Sequence, residues 1–340
     1  GRYFLDFNNS GVLTSITDSN GVGVTLEYSG GRLTSITHTN GDAIALAYNA
    51  SGYVSTMTDH AGRVTTYGYS GGQLASVDPP GIAPKMYSYV ATAGPARYAL
   101  QAVMLPDGSQ RTFTYDAQGR LLTAARNGGA EQTSYAYPDT GVVQATDGFG
   151  NSTLFSFDGN DLLLQRLGPL RAVTQYAYTG QNLLEQILAP DGTASGIVYD
   201  SMGNPMTFLD ELNNQAHTEY LPIQRLLQRL EDANGAVSNY SYDSLGNLVE
   251  MMYPDGTSRV FTVDAGGAVE QTVNRRGGAV NITRDARGAV TQRELLGHRV
   301  IDITYDSDYR PVQFTEGGTD IDVTYNARDW VTQVDYPDGR

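Results

Sequence analysis

Apolar and polar side chains alternate in short stretches along the whole chain. Val24, Leu26 and Tyr28 fall on one face of an extended segment, with Thr25 and Glu27 on the other. The same period of two runs through Ile44, Leu46 and Tyr48, through Ile301, Ile303 and Tyr305, and through Ile321, Val323 and Tyr325. Period two with β-branched and aromatic residues predicts strands, not helices. Each predicted strand ends on an anchor: Phe7, Tyr28, Tyr48, Tyr69, Tyr89, Tyr115, Tyr137, Phe157, Tyr178, Tyr199, Tyr220, Tyr242, Tyr305 or Tyr325, with Val263 and Arg284 in the same slot. These sixteen positions recur about every 21 residues, a period that identifies a repeat array before any other reading is made.

An Asp-x-x-Gly turn follows the anchor, with Asp116, Asp200, Asp243, Asp264, Asp285 and Asp306 one place after it. Aspartate at a turn's first position can bond backbone two residues on, and glycine supplies positive φ. A second strand then opens, usually on leucine, as at Leu33, Leu74, Leu121 and Leu248. A second turn precedes the next anchor, as in Asn20-Gly21, Asn40-Gly41, Asp107-Gly108, Asp191-Gly192 and Asp255-Gly256. Such dipeptides are strong signals of tight turns. The unit is strand, turn, strand, turn, and stacked copies are expected to bury their Tyr and Leu ladders in one continuous core.

Three places strain this pattern. Pro-rich turns between residues 79 and 105 predict an irregular insert. Pro205 and Pro311 stand at or next to the Leu slot, so those second strands are expected to start late. Pro222 to Leu230 passes for a helix in isolation, but Leu226 and Leu230 keep repeat phase and favour a strand. A β-propeller needs odd and even copies to differ, whereas both kinds carry the same Tyr and the same turns; the unit of about 21 favours a continuous spiral.

Composition adds exclusions. A formal charge of −15 argues against nucleic acid or an anionic membrane surface as partner. The chain has no cysteine, which excludes disulfides, thiolate metal sites and a cysteine nucleophile. No apolar run reaches the length of a membrane span.

Paired carboxylates invite a glycosidase reading. Most aspartates, however, recur with the turns, and a residue needed once for chemistry has no reason to appear in every copy. Glu211, Glu219, Glu231, Glu250, Glu270 and Glu294 lie off the turn phase, but no motif pairs them. Glu250 and Glu270 are the pair to mutate if a hydrolase activity were found. His38, His60, His217 and His298 show no metal-ligand spacing. Asp18 to Gly21 and Asp232 to Gly235 resemble the start of a calcium loop but lack its closing glutamate. Gly71-Gly72 and Gly277-Gly278 lie at hairpin turns and make poor phosphate loops. A tyrosine ladder stacking sugars is a further alternative, yet glycan-binding arrays lean on tryptophan and only Trp330 is present. No catalytic, cofactor-binding or metal-binding residue is expected, and no cofactor.

Tyr-Asp-x-x-Gly-(Arg/Asn)-Leu, as in Tyr115 to Leu121 and Tyr242 to Leu248, resembles the signature of the YD-repeat, or Rhs-repeat, family. That family includes bacterial Rhs polymorphic toxins, the BC shells of insecticidal toxin complexes, and teneurins. The resemblance implies an all-β spiral of antiparallel strand-turn-strand repeats, about fifteen to sixteen over residues 1–340, closing into part of a hollow shell. It implies a non-enzymatic wall enclosing a cargo polypeptide, a C-terminal toxin in the bacterial members, and a secreted or cell-surface location. The alternative function is an extracellular adhesion or carbohydrate-binding module. The Asp-Pro-x-Gly core end and self-cleavage site that usually follow the repeats in bacterial members are not found after the repeats here, and the chain reads as a piece of shell from a longer protein. Self-association through exposed strand edges is expected of such a piece.

Overall fold

The computed structural model describes residues 3–295, 299–326 and 329–337. Among them lie thirty-two strands, from β1 (Tyr3–Phe7) to β32 (Val331–Asp335), and one 3-10 turn at Pro169–Arg171. Each strand pairs antiparallel with the next along the chain, from β1 with β2 to the last pairing with β32. The result is a single meandering sheet, all-β and unclosed, because β1 and β32 each pair on one side only. Anchors sit at or near the ends of the odd-numbered strands, as the alternation requires: β19 (Ala194–Tyr199) ends on Tyr199 and β23 (Val237–Tyr242) on Tyr242.

The expected core is not there. No apolar side chain among the described residues is fully buried, and Thr218, at 7% exposure, is the one buried side chain. The accessible surface is 20799 Å² for a mass of 36.6 kDa. A compact monomer of that mass exposes about 13,500 Å², so this chain exposes roughly half as much again. A sheet one layer thick explains the difference: side chains cover their lateral neighbours, while nothing covers the faces. Stability must therefore come mainly from the ladders and from side-chain locks between adjacent strands.

Both turns of a repeat share one tight geometry. In the second-turn slot, Asp18 N–H donates to the Val22 carbonyl at 2.8 Å and Gly21 N–H to the Asp18 carbonyl at 3.1 Å. In the first-turn slot, the Asp200 and Gly203 amides bond in the same way to Asn204 and Asp200. This is the pattern of a type I turn closed by a left-handed glycine bulge. Two-residue turns occur instead at Gly30-Gly31, with φ of 56° and 78°, at Gly71-Gly72 and at Gly317-Gly318.

The strained places resolve individually. Lys85–Tyr89 and Leu100–Met104 are regular strands inside the irregular interval, and the insert narrows to a loop between them. Pro205 and Pro311 begin their strands without delay, paired with Tyr199 and Tyr305 at the bulge, where no ladder amide is called for. Leu227–Glu231 is a strand, not a helix, with Leu226 just before it.

The strip coils until distant turns meet. Ser19 Oγ donates to the Leu245 carbonyl at 2.6 Å, Asn40 Nδ2 to the Arg287 carbonyl at 3.1 Å, and Arg63 reaches Asp329 at 2.8 Å. One lap therefore takes about 226 to 266 residues, on the order of eleven to thirteen repeats.

Candidate functional site

The chemistry this chain repeats most often is the Asp-x-x-Gly-(Arg/Asn) turn. Asp200 Oδ1 accepts the amides of Met202 and Asn204, both at 2.8 Å, while Oδ2 accepts Asn204 Nδ2 at 2.8 Å. Asp243 and Asn247 repeat this arrangement, with the amide at 2.9 Å. Arginine does the same work elsewhere: Arg120 Nε meets Asp116 Oδ2, and Arg310 Nε meets Asp306 Oδ2, each at 2.7 Å. The motif accepts Arg or Asn because either presents a donor N–H four places after the aspartate. The Asn204 side-chain bond, followed by the backbone bonds, holds the Asp200 carboxyl below its ordinary range. At Asp116 burial pushes the other way, but the Arg120 backbone and side-chain bonds prevail and the carboxyl is again lowered.

The arginine reaches onward as well. The Arg120 guanidinium lies 4.2 Å over the ring of Tyr137, Arg310 lies 5.0 Å over Tyr325, and Arg32 lies 5.4 Å over Tyr48. Tyr53 fills the same slot and stacks on Tyr69 at 4.9 Å. Each covered ring is the next repeat's anchor. That anchor then closes the circuit: Tyr137 Oη donates to the Leu121 carbonyl at 2.9 Å, next to Arg120 in sequence.

Ten anchors make this phenol lock, among them Tyr48 to Leu33, Tyr115 to Leu100, Tyr178 to Leu163, Tyr199 to Leu184, Tyr242 to Leu227 and Tyr325 to Pro311, at 2.7 to 3.0 Å. The cause lies in the ladder. Between β18 (Leu184–Leu188) and β19, pairing stops at Gln186 and Gly196, leaving the Leu184 carbonyl beyond the last rung. The phenol spans the gap that the opposite bulge opens. Two exceptions support this account. Thr218 Oγ1 takes the Pro205 carbonyl at 2.5 Å in place of Tyr220, and it is the buried side chain. At Phe157 the ladder continues to Val142 and Ser156, and Phe157 N–H bonds the Gly141 carbonyl, so no phenol is needed.

The other sequence candidates do not converge. Glu219 and Glu231 are brought together only by Arg229, which pairs with both at 3.1 and 2.6 Å. Glu294 accepts Asn281 Nδ2 at 3.2 Å, Glu211 and Glu270 are exposed, and Glu250 sits opposite Val260. His217 Nδ1 lies 3.1 Å from Thr207 Oγ1, and His38 Nδ1 takes the turn position of aspartate, accepting Asn40 N–H at 3.2 Å. His60 lies in the turn opened by Asp59, and His298 lies outside the described residues. No cluster of three or more metal-ligating side chains occurs among the described residues. Asp18 and Asp232 cap their own turns, Asn20 and Val22 amides binding the first at 2.8 and 2.9 Å. Sequence reasoning missed the phenol lock. Its signal was the choice of Tyr over Phe at twelve of sixteen anchors, since packing alone would accept either.

The RHS Repeat family model matches residues 99–132 and 222–258, each spanning one such lock. Those two stretches are RHS repeats. The chain is 27% identical over 167 residues to the probable deoxyribonuclease RhsA of Dickeya dadantii, covering 48% of this chain and 12% of that protein. It is 30% identical over 115 residues to the probable deoxyribonuclease RhsB of the same organism, covering 34% and 8%. The chain thus spans about a tenth of the curated relatives it matches. Its fold resembles the crystal structure of TcdB2-TccC3-Cdc42, with a TM-score of 0.55 and 12% identity, over 98% of this chain and 24% of that one. No helix among the described residues is long and apolar enough to cross a membrane.

Proposed function

We propose that this RHS-repeat array is a non-catalytic stretch of wall of a hollow shell that encloses a cargo polypeptide, a toxin in the parent protein. The observation that carries the reading is a sheet one layer thick that coils back onto itself without a core. Such a strip is poor at burying its own faces and well suited to bounding a space. Likeness in fold to TcdB2-TccC3 supports a shell-like module. The face opposite the tyrosines, carrying side chains such as Thr304, Asp302, Thr324 and Asp322, would line the cavity or meet water. The deoxyribonuclease named for the Dickeya relatives would reside in their unmatched lengths, and a secreted or surface location accords with the family.

The array uses its turn aspartates as caps and most of its anchor tyrosines as locks, so the side chains it repeats most often serve to hold the wall together. Glycan stacking, the rival function, requires free rings, yet Tyr48, Tyr69, Tyr137 and Tyr325 are covered by the preceding repeat. Electron microscopy of the parent protein tests the proposal. A hollow particle holding a protease-protected polypeptide is expected. A solid or open array with no protected segment, or selective binding on a glycan array, would overturn it.

A further inference from the structure

Where the two laps meet, no strand ladder joins them among the described residues; polar side chains at turns make the contact. Asn20 and Asn247 exchange amide bonds at 3.0 and 2.9 Å. Asp42 pairs with Arg287, whose carbonyl also accepts Asn40 Nδ2. Arg63 and Arg310 share Asp329, each at 2.8 Å. The laps are not matched repeat for repeat. First-lap turns one repeat apart meet second-lap turns two repeats apart, at 243–247, 285–289 and 326–330.

Two of the second-lap turns in this region break the glycine rule. Gly246, Gly267 and Gly288 hold the left-handed slot in their turns, but Tyr309 and Asp329 adopt it at φ of 65° and 59°. A left-handed tyrosine is strained and uncommon, and at both positions the side chain is engaged near the contact of the laps. Asp329 contacts the first lap directly. Tyr309 works one step back: its ring lies 3.8 Å beneath the Arg287 guanidinium, and its hydroxyl bonds Asp285, so it fixes the arginine that reaches Asp42.

We propose that these contacts encode the register of the laps, so that the first-lap edge is an interaction surface whose partner is one particular set of second-lap turns, chosen by charge. Among the described second-lap turns, the place of Arg287 is taken by Leu245, Gly266 and Asp308. A slip of one repeat would set Asp42 against Gly266 or Asp308, leaving it unpaired or repelled. Arg63 would lose Asp329 in the same slip. The inference concerns how the wall closes upon itself and stands whatever the wall encloses.

The absence of native cysteine allows a direct test. Ser19→Cys with Leu245→Cys places the only two thiols at a contact of the laps. Disulfide yield under mild oxidation then reports the register, with circular dichroism confirming the sheet. We expect crosslinking in this pair, a roughly fivefold fall on adding Asp42→Arg, and a smaller fall with Asp42→Asn. Combining Asp42→Arg with Arg287→Asp should lift the yield above that of Asp42→Arg alone. Failure of the parent pair to crosslink, an unchanged yield in Asp42→Asn, or a charge swap no better than the single reversal would each overturn the proposal.

Discussion

Replacing Tyr199 by Phe removes one oxygen and, with it, the 2.7 Å bond to the Leu184 carbonyl. The ring and its lateral contacts remain. A net hydrogen bond contributes about 1 kcal/mol, and stranding a buried acceptor can cost about 1–3 kcal/mol. Leu184 is half-buried, so water can partly replace the phenol and the low end applies. The expected cost is about 1 kcal/mol per lock. Tyr178, Tyr199 and Tyr242 bond three different carbonyls, so the triple Phe variant should lose about 3 kcal/mol. Urea unfolding followed by circular dichroism measures the total, and native-state hydrogen exchange across Leu184–Leu188 locates it. The converse change supplies a control. Phe157→Tyr should be neutral within about 0.5 kcal/mol, because the local ladder already continues past Val142. A triple variant as stable as the parent, or a Phe157→Tyr gain of the size of one lock, would refute the account.

Four further outcomes follow from the same geometry. Val263 leaves Leu248 beyond the last rung at Glu250 and Val260, so Val263→Tyr should raise stability by about 1 kcal/mol in the same urea assay. The turn carboxylates of Asp147, Asp200 and Asp210 sit lower in the folded than in the unfolded chain, chiefly through bonds from Asn151, Asn204 and Asn214. Their stabilisation is complete above the ordinary value of 3.8 and lost as pH falls through the lowered folded values; an acid titration showing no loss below pH 3.8 contradicts this. Gly203→Ala forces a side chain to φ of 82° and 3.3 Å from Leu183 Cδ1, and should cost about 1–2 kcal/mol in the midpoint of thermal unfolding. Tyr3, Phe4, Leu5 and Phe7 lie at least half exposed on the edge strand β1, so light scattering should show concentration-dependent association that Leu5→Lys reduces.

The anchors, both turn slots and the strand between them were legible because each is a local decision. Alternation fixes which way Tyr242 points, and Asp243 caps its own turn within four residues. The same locality explains the assignment of Asp116, Asp200 and Asp306 to turns and not to chemistry. The phenol lock was only half legible. The preference for Tyr over Phe is written in the chain, but its acceptor lies fifteen residues back and is free only because a bulge ends the ladder early. The second turn was legible as a tight turn from Asn20-Gly21, but that Asp18 opens it is seen only in the hydrogen bonds.

By itself, the sequence determined an all-β array of strand-turn-strand repeats and ruled out a cysteine or thiolate chemistry. Tertiary structure alone decided that the sheet stays one layer thick, that no core forms among the described residues, and that turns 226 to 266 residues apart touch. The physical reason is accumulation. Each repeat specifies its neighbour through hydrogen bonds a few residues away, whereas lap closure sums small twists over a dozen repeats, and no single repeat carries that sum.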